Sequence, residues 1–284
     1  MNIIPISKDT HREWSYVGLA NYAHTQKDSV APIIMAEIGR VVNTNPIVFL
    51  ENSDGDKTVG LYSLQSLTPE LNLMINDKGQ WLADYIPARY RSLPFVLASD
   101  TTGKIGDDKL LCFVDNFNCV AEKFDRESTK IFNDNGDMSD DMTRVFKFLQ
   151  AIDQNEHQTK IALASIKKAG VLHDWTLSLK LKDGERKMTG LKKVNMEKLK
   201  GLSGKALQEL NKSGGLDICF ASHFSLNSLE NLKKLIITRS DSAETKKETS
   251  ETKSLRDVTL EKQKKAQKEE MDTLVKDLLL DDEI

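Results

Sequence analysis

Trp175-Thr176-Leu177-Ser178-Leu179-Lys180-Leu181, then Lys182-Asp183-Gly184-Glu185, then a return over Lys187 to Val194, is the stretch that sets the fold class. Apolar and polar residues alternate through Leu181, so an extended chain shows one apolar and one polar face. Asp-Gly between two such runs is a strong hairpin signal, because the favoured two-residue turns need positive φ. An antiparallel strand pair is therefore predicted here.

Helical patterns flank this hairpin. Ser139 to Asp153 has Val145, Phe148, Leu149 and Ile152 on one stripe, Ser139 as N-cap and Asp140 and Asp141 in the first turn, where acids suit the helix dipole. A second helix is predicted over Thr159 to Ala169, ended by Gly170. After the hairpin come a short helical turn over Asn195 to Leu199 and a helix over Gly204 to Lys212, ended by Ser213-Gly214-Gly215. A strand over Leu216 to Ser222 and a last helix over Ser225 to Ile236 follow. All six prolines, Pro5, Pro32, Pro46, Pro69, Pro87 and Pro94, lie in the first third. Proline fixes φ and removes a backbone donor, so that third reads as strands, short helices and turns. Ala31 to Val42 reads as a short helix, and Ile47 to Leu50 and Thr58 to Leu64 as a hairpin around the Asn52–Asp56 turn. Leu110 to Val114 reads as another strand. The class is α+β: a mixed, mostly antiparallel sheet with packed helices.

The body is read as residues 1–239, with lobes 1–138 and 139–239. Ser240 to Ser254 has one alanine and no larger apolar residue, which predicts a disordered linker. Residues 255–284 become helical in pattern again, with Met271, Leu274, Val275, Leu278 and Leu279 on one apolar stripe of an otherwise charged helix. Such a tail suits docking in a partner's groove or coiled-coil pairing, or folding back on its own body.

The chain has 284 residues, 39% hydrophobic and 29% charged, with a net charge of −3. No overall basic field attracts nucleic acid, and no apolar run approaches the roughly 20 residues of a membrane span. The start lacks a basic segment followed by an apolar one, so the expected compartment is the cytoplasm, with export without a cleaved N-terminal signal as the alternative. Cys112, Cys119 and Cys219 have no tight pairing and read as buried small apolar side chains. His11, His24, His157, His173 and His223 lack metal-ligand spacing, and no cofactor motif stands out. Thr102-Gly103-Lys104 lacks phosphate-loop spacing, and Asn133 to Asp137 lacks the distal acid of a calcium loop, so both read as turns. His173-Asp174 reads as a loop polar pair. His223 with Ser225 lacks the nucleophile elbow of a hydrolase.

Gly79-Gln80-Trp81-Leu82-Ala83-Asp84-Tyr85-Ile86-Pro87-Ala88-Arg89-Tyr90-Arg91-Ser92-Leu93-Pro94-Phe95 resembles the signature of the SapC-like family, a bacterial group named after a surface-layer-associated protein. The family pattern runs Gly-x-Trp, then Tyr-Ile-Pro-Ala, an Arg pair and Pro-Phe. Here Arg91-Ser92 replaces one arginine of the usual pair. Val30-Ala31-Pro32-Ile33 with Glu37, Asn45-Pro46-Ile47-Val48-Phe49, Leu71-Asn72-Leu73, Phe132 to Gly136, Thr189-Gly190-Leu191 with Leu199, and Gly215-Leu216 with His223, Ser225 and Leu226 resemble other family segments in order. The resemblance runs over residues 20–236. It implies association with surface layers, and companionship with flavin-dependent halogenase-like proteins and outer-membrane receptors. It carries no catalytic residue.

The aromatic and basic segment is the site candidate. Trp81, Tyr85 and Tyr90 offer flat surfaces with polar tips, and Arg89 and Arg91 offer planar forks for carboxylate or phosphate. The competing reading makes Trp81, Ile86 and Phe95 core anchors and pairs an arginine with Glu37 or Asp84. Whether the chain is an enzyme stays open. The expectation is a non-enzymatic binding or accessory protein of a surface-layer or outer-membrane system, with a protein partner. The alternatives are an enzyme or enzyme partner acting on peptides or with a halogenase-like protein, and a structural surface-layer component.

Overall fold

The computed structural model describes residues 2–52, 58–99, 109–181 and 184–239. The strands in chain order are β1 (Ile3–Pro5), β2 (Ser15–Tyr16), β3 (Val30–Pro32), β4 (Ile47–Glu51), β5 (Val59–Leu64), β6 (Phe95–Ser99), β7 (Lys109–Val114), β8 (Val120–Ala121), β9 (Thr129–Lys130), β10 (Leu172–Leu181) and β11 (Gly184–Val194). The α-helices bounded within the described residues are α1 (Lys8–His11), α2 (Ile38–Val41), α3 (Ala88–Arg91), α4 (Asp140–Ala169), α5 (Met196–Lys200), α6 (Gly204–Ser213) and α7 (Gly215–Ser225), and residues 229–233 are helical too. Residues 1–233 form one compact unit and 234–284 another; of the second, 234–239 are described, as helix. The predicted linker 240–254 and the stripe Met271, Leu274, Val275, Leu278 and Leu279 lie outside the described residues, as does most of the Asn52–Asp56 turn.

Among the described residues every strand pairing is antiparallel, in three sheets ordered β1-β7-β6, β8-β2-β9 and β10-β11-β4-β5-β3. The α+β reading is what the molecule shows. Both predicted hairpins form, with Phe49 opposite Leu61 in one and Trp175 opposite Leu191 in the other. In the second, one extra residue sits on β11 between Leu191 and Met188, while β10 runs on without interruption. Gly190 at that bulge has φ +80°, a conformation that any residue with a Cβ resists. Only Leu191 and Lys192 of β11 pair with β4, so the distal part of the hairpin extends beyond the sheet as a two-stranded ribbon.

Three expectations are corrected. The two helices predicted over 139–153 and 159–169 are one helix, α4, of 30 residues. Its caps are as predicted: the Ser139 hydroxyl accepts from the N–H of Met142, and Gly170 takes φ +64°. The apparent break, Gln154 to Gln158, is polar without proline or glycine. It interrupts the apolar stripe, not the backbone. On one side of the break α4 packs Met142 and Leu149 with Phe95, Leu111, Phe113 and Ile131. On the other it packs Ala162, Leu163 and Ile166 with Ile47, Phe49, Leu61 and Ile218.

The strand predicted over Leu216–Ser222 is helix α7. Ile218, Cys219, Ser222 and Ser225 are all buried, at helical spacing on one face. The serine hydroxyls bond the first residue of β4: Ser225 Oγ accepts from Ile47 N–H at 2.8 Å and Ser222 Oγ donates to Ile47 O at 2.8 Å. Tertiary bonding of this kind decides for helix where a short apolar run, Ile218 to Ala221, reads either way. Finally, the helix predicted over Ala31–Val42 starts late. Val30–Pro32 is the edge strand β3, where proline is tolerated, and Met35–Glu37 is a 3-10 turn leading into α2.

Candidate functional site

One buried carboxylate organises the predicted segment. Glu37, only 3% exposed, accepts the Ile34 N–H at Oε2 (2.9 Å) and the Ala88 N–H (2.6 Å) and Tyr85 hydroxyl (2.9 Å) at Oε1. A buried carboxylate is tolerated only with such donors. These bonds tie the 3-10 turn to Tyr85 and to the first turn of α3. Tyr85 in turn accepts from Arg91 Nη2 at 3.2 Å, and the Arg91 guanidinium lies 5.3 Å from the Tyr85 ring centre and 5.2 Å from that of Phe148. Burial first, then the charge and hydrogen bond of Glu37, push the Tyr85 phenol up to about 12; Arg91 works the other way. It is thus a fixed neutral donor at physiological pH.

Trp81 and Tyr90 belong to a different neighbourhood. Trp81 Nε1 donates to Tyr85 O at 2.9 Å, and its ring meets Tyr22 and Tyr90 edge-on, each at 5.8 Å between centres. Tyr90 also meets His24, which meets Phe117. Tyr90 is buried, its hydroxyl donates to Asp28 Oδ2 at 2.8 Å, and burial followed by Asp28 pushes its phenol far up. Phe95 is core, packed edge-on against Tyr16. Burial pulls the His24 imidazole down.

Arg89 points elsewhere again. Its Nη2 lies 2.5 Å from Glu156 Oε1, with the arginine side chain 48% exposed. The pair stands at a cleft of about 270 Å³ between β5 and the middle of α4. Ile33, Val59, Leu61 and Leu163 supply its apolar lining, and Lys160 a second cation. Among the described residues Lys160 has no carboxylate in ion-pair range. Neighbouring Asn155 and Thr159 bond the N–H groups of Ala36 and Met35, so the polar stretch of α4 also clamps the turn that carries Glu37.

The family model described as SapC matches residues 6–232. The chain belongs to the SapC family. Searches of curated proteins and of solved structures found no match. The SapC signature residues are therefore split three ways here: Trp81 and Tyr90 in an aromatic cluster, Tyr85 and Arg91 on the Glu37 carboxylate, Arg89 in the cleft. The arginine partner is Glu156, neither Glu37 nor Asp84. Sequence reading passed over Glu156 because it falls in the polar break of α4, and over Thr159 and Lys160 because they open the helix predicted beyond it. That break was itself the signal, since polar residues inside a helical stripe need a polar partner. The SapC match ends before the stretch that holds Met271 to Leu279.

Other candidates are absorbed by the fold. Ser225 is buried, its hydroxyl donating to Ser222 O, while His223 is exposed beside Phe224. Asp174 pairs with Lys192 Nζ at 2.5 Å, and Lys192 also reaches Glu51. Asn133 to Asp137 is a turn closed by Asn133 N–H to Asp137 O at 2.8 Å. The cysteines are free and buried, and burial pushes the Cys219 thiol up to about 12. Among the described residues no three His, Cys, Asp or Glu side chains gather as metal ligands, and no helix is long and apolar enough to cross a membrane.

Proposed function

We propose that this SapC-family protein is a binding or accessory component of a bacterial surface-layer or outer-membrane-associated system, and that it holds an extended, carboxylate-bearing segment of a protein partner in the cleft beside Arg89. The observation that carries this reading is the half-exposed Arg89 guanidinium, bonded to one carboxylate and backed by Lys160. Arg89 keeps unused N–H donors at a site with an apolar lining. A planar fork next to apolar walls suits a carboxylate attached to apolar groups. The supporting frame is stiff: Glu37, Asn155 and Thr159 fix the turn and α3 on either side. Within this reading the protein works on the cytoplasmic side.

The test is site-specific photo-crosslinking from position 160 in the full chain, in cells. One defined partner is expected, lost in Arg89→Ala and retained when residues 240–284 are removed. A cross-link indifferent to Arg89→Ala in a folded variant removes the cleft from the account. Fractionation that finds the chain assembled in the surface layer replaces the binding reading with a structural one.

A further inference from the structure

The cleft beside Arg89 exists because one strand leaves its sheet early. β3 covers β5 from Tyr62 to Leu64, and Ile33 N–H adds a bond to Leu61 O at 3.0 Å. Continued in that register, Met35 would lie opposite Val59. The chain turns away instead. Ile34 N–H is held by Glu37, and Met35 N–H by Thr159 Oγ1 on α4 at 3.0 Å. β5 thus runs on past its neighbour, with Val59 and Gly60 on one wall of the cleft and Thr159 and Lys160 on the other.

Backbone parity decides what Val59 offers there. Leu64 N–H donates to Pro46 O and Asn52 N–H to Thr58 O, so the even-numbered residues face β4. Leu61, which accepts from Ile33, faces β3. Val59 has the parity of Leu61, and its N–H and C=O point into the gap. Neither has a partner among the described residues. One residue of an added strand, run antiparallel to β5, exchanges both bonds with Val59. Residues paired across strands share a face. Val59 belongs to the same buried cluster as Ala162 and Leu163 of α4. The side chain of the added residue therefore faces α4, where Arg89 and Lys160 line the cleft. Two cations against the one carboxylate of Glu156 favour an acid there.

We infer that the partner's extended segment joins the free end of β5 as an added strand, with an aspartate or glutamate opposite Val59. This rests on Arg89 holding a partner's carboxylate, and adds that the segment's own main chain is held at Val59. The test uses the full chain carrying the photo-cross-linker at position 160. Val59→Pro deletes the outward N–H and leaves the β4 ladder whole, as proline can on an edge. Val59→Ala keeps the N–H and controls for the lost packing. In folded variants, Val59→Ala retains the Arg89-dependent cross-link and Val59→Pro lowers its yield by about tenfold. Amide exchange gives a second reading. In the free chain the Val59 amide exchanges faster than those of Gly60 and Tyr62, which face β4; in the cross-linked complex it slows by about tenfold or more. Should Val59→Pro fail to fold, exchange decides alone. A Val59 amide already protected in the free chain, or unchanged in the complex, overturns the inference. An Arg89-dependent cross-link that Val59→Pro leaves intact also overturns it, while the carboxylate reading stands. A cross-link indifferent to Arg89→Ala removes both.

Discussion

Around Glu37 a single carboxylate fixes two segments far apart in sequence, 34–37 and 85–88; along β10 and β11 the two strands fix one another. The first region has almost no regular structure, and its order comes from buried polar groups each given a partner. The second has a long ladder, few ties to the rest of the sheet and a charged surface. Stiffness in an irregular loop is concentrated in very few atoms, whereas a ribbon spreads it over many equivalent bonds. Damage should follow the same contrast.

The sharpest way to break it is Glu37→Ala. Three donors lose their acceptor in a dry site, and a loss of about 3–5 kcal/mol is expected in urea unfolding. A loss below about 1 kcal/mol would show that water replaces the carboxylate freely. In the ribbon, the most sensitive position is the bulge. Gly190→Ala has room for the added carbon but must keep φ +80°, which costs about 1–2 kcal/mol. Hydrogen exchange should rise locally in β11 and not around Glu37; a global rise would mean the ribbon is less independent than its pairing indicates.

A third measurement reads the Tyr85–Glu37 bond through pH. The folded phenol is raised to about 12 from 10.0, so its contribution is whole below pH 10 and is lost as pH rises through about 12. Tyr85→Phe should therefore flatten part of the alkaline fall in stability between those values. An unchanged alkaline slope would mean that the bond carries no linkage. The smallest expected effect is that of Arg89→Ala. Its ion pair is half in solvent, so stability should change by less than about 0.5 kcal/mol. A larger change would make Arg89 part of the frame and not a contact for a partner.

Much of this architecture is written locally. Ser139 and Gly170 cap α4 as their chemistry requires, and the alternating run that starts at Trp175 pairs with β11 as predicted. Leu216 to Ser222 misleads because the short apolar run Ile218 to Ala221 reads equally as a buried strand or a buried helix, while the deciding bonds come from Ser222 and Ser225 reaching Ile47, some 175 residues away. For the site, the segment Trp81 to Phe95 was visible as an unusual cluster of aromatic and basic residues. Its division among Asp28, Glu37 and Glu156 was not, since a carboxylate's partner depends on which turns meet in space.

One consequence of α4 concerns how the body comes apart. Thirty residues make a rod of about 45 Å, embedded at one end in the packing around Phe113 and at the other in the packing around Phe49. Neither cluster can melt separately without fraying a cylinder whose far half is still clamped. The rod thus acts as a mechanical shaft between the two clusters, binding them into one melting transition.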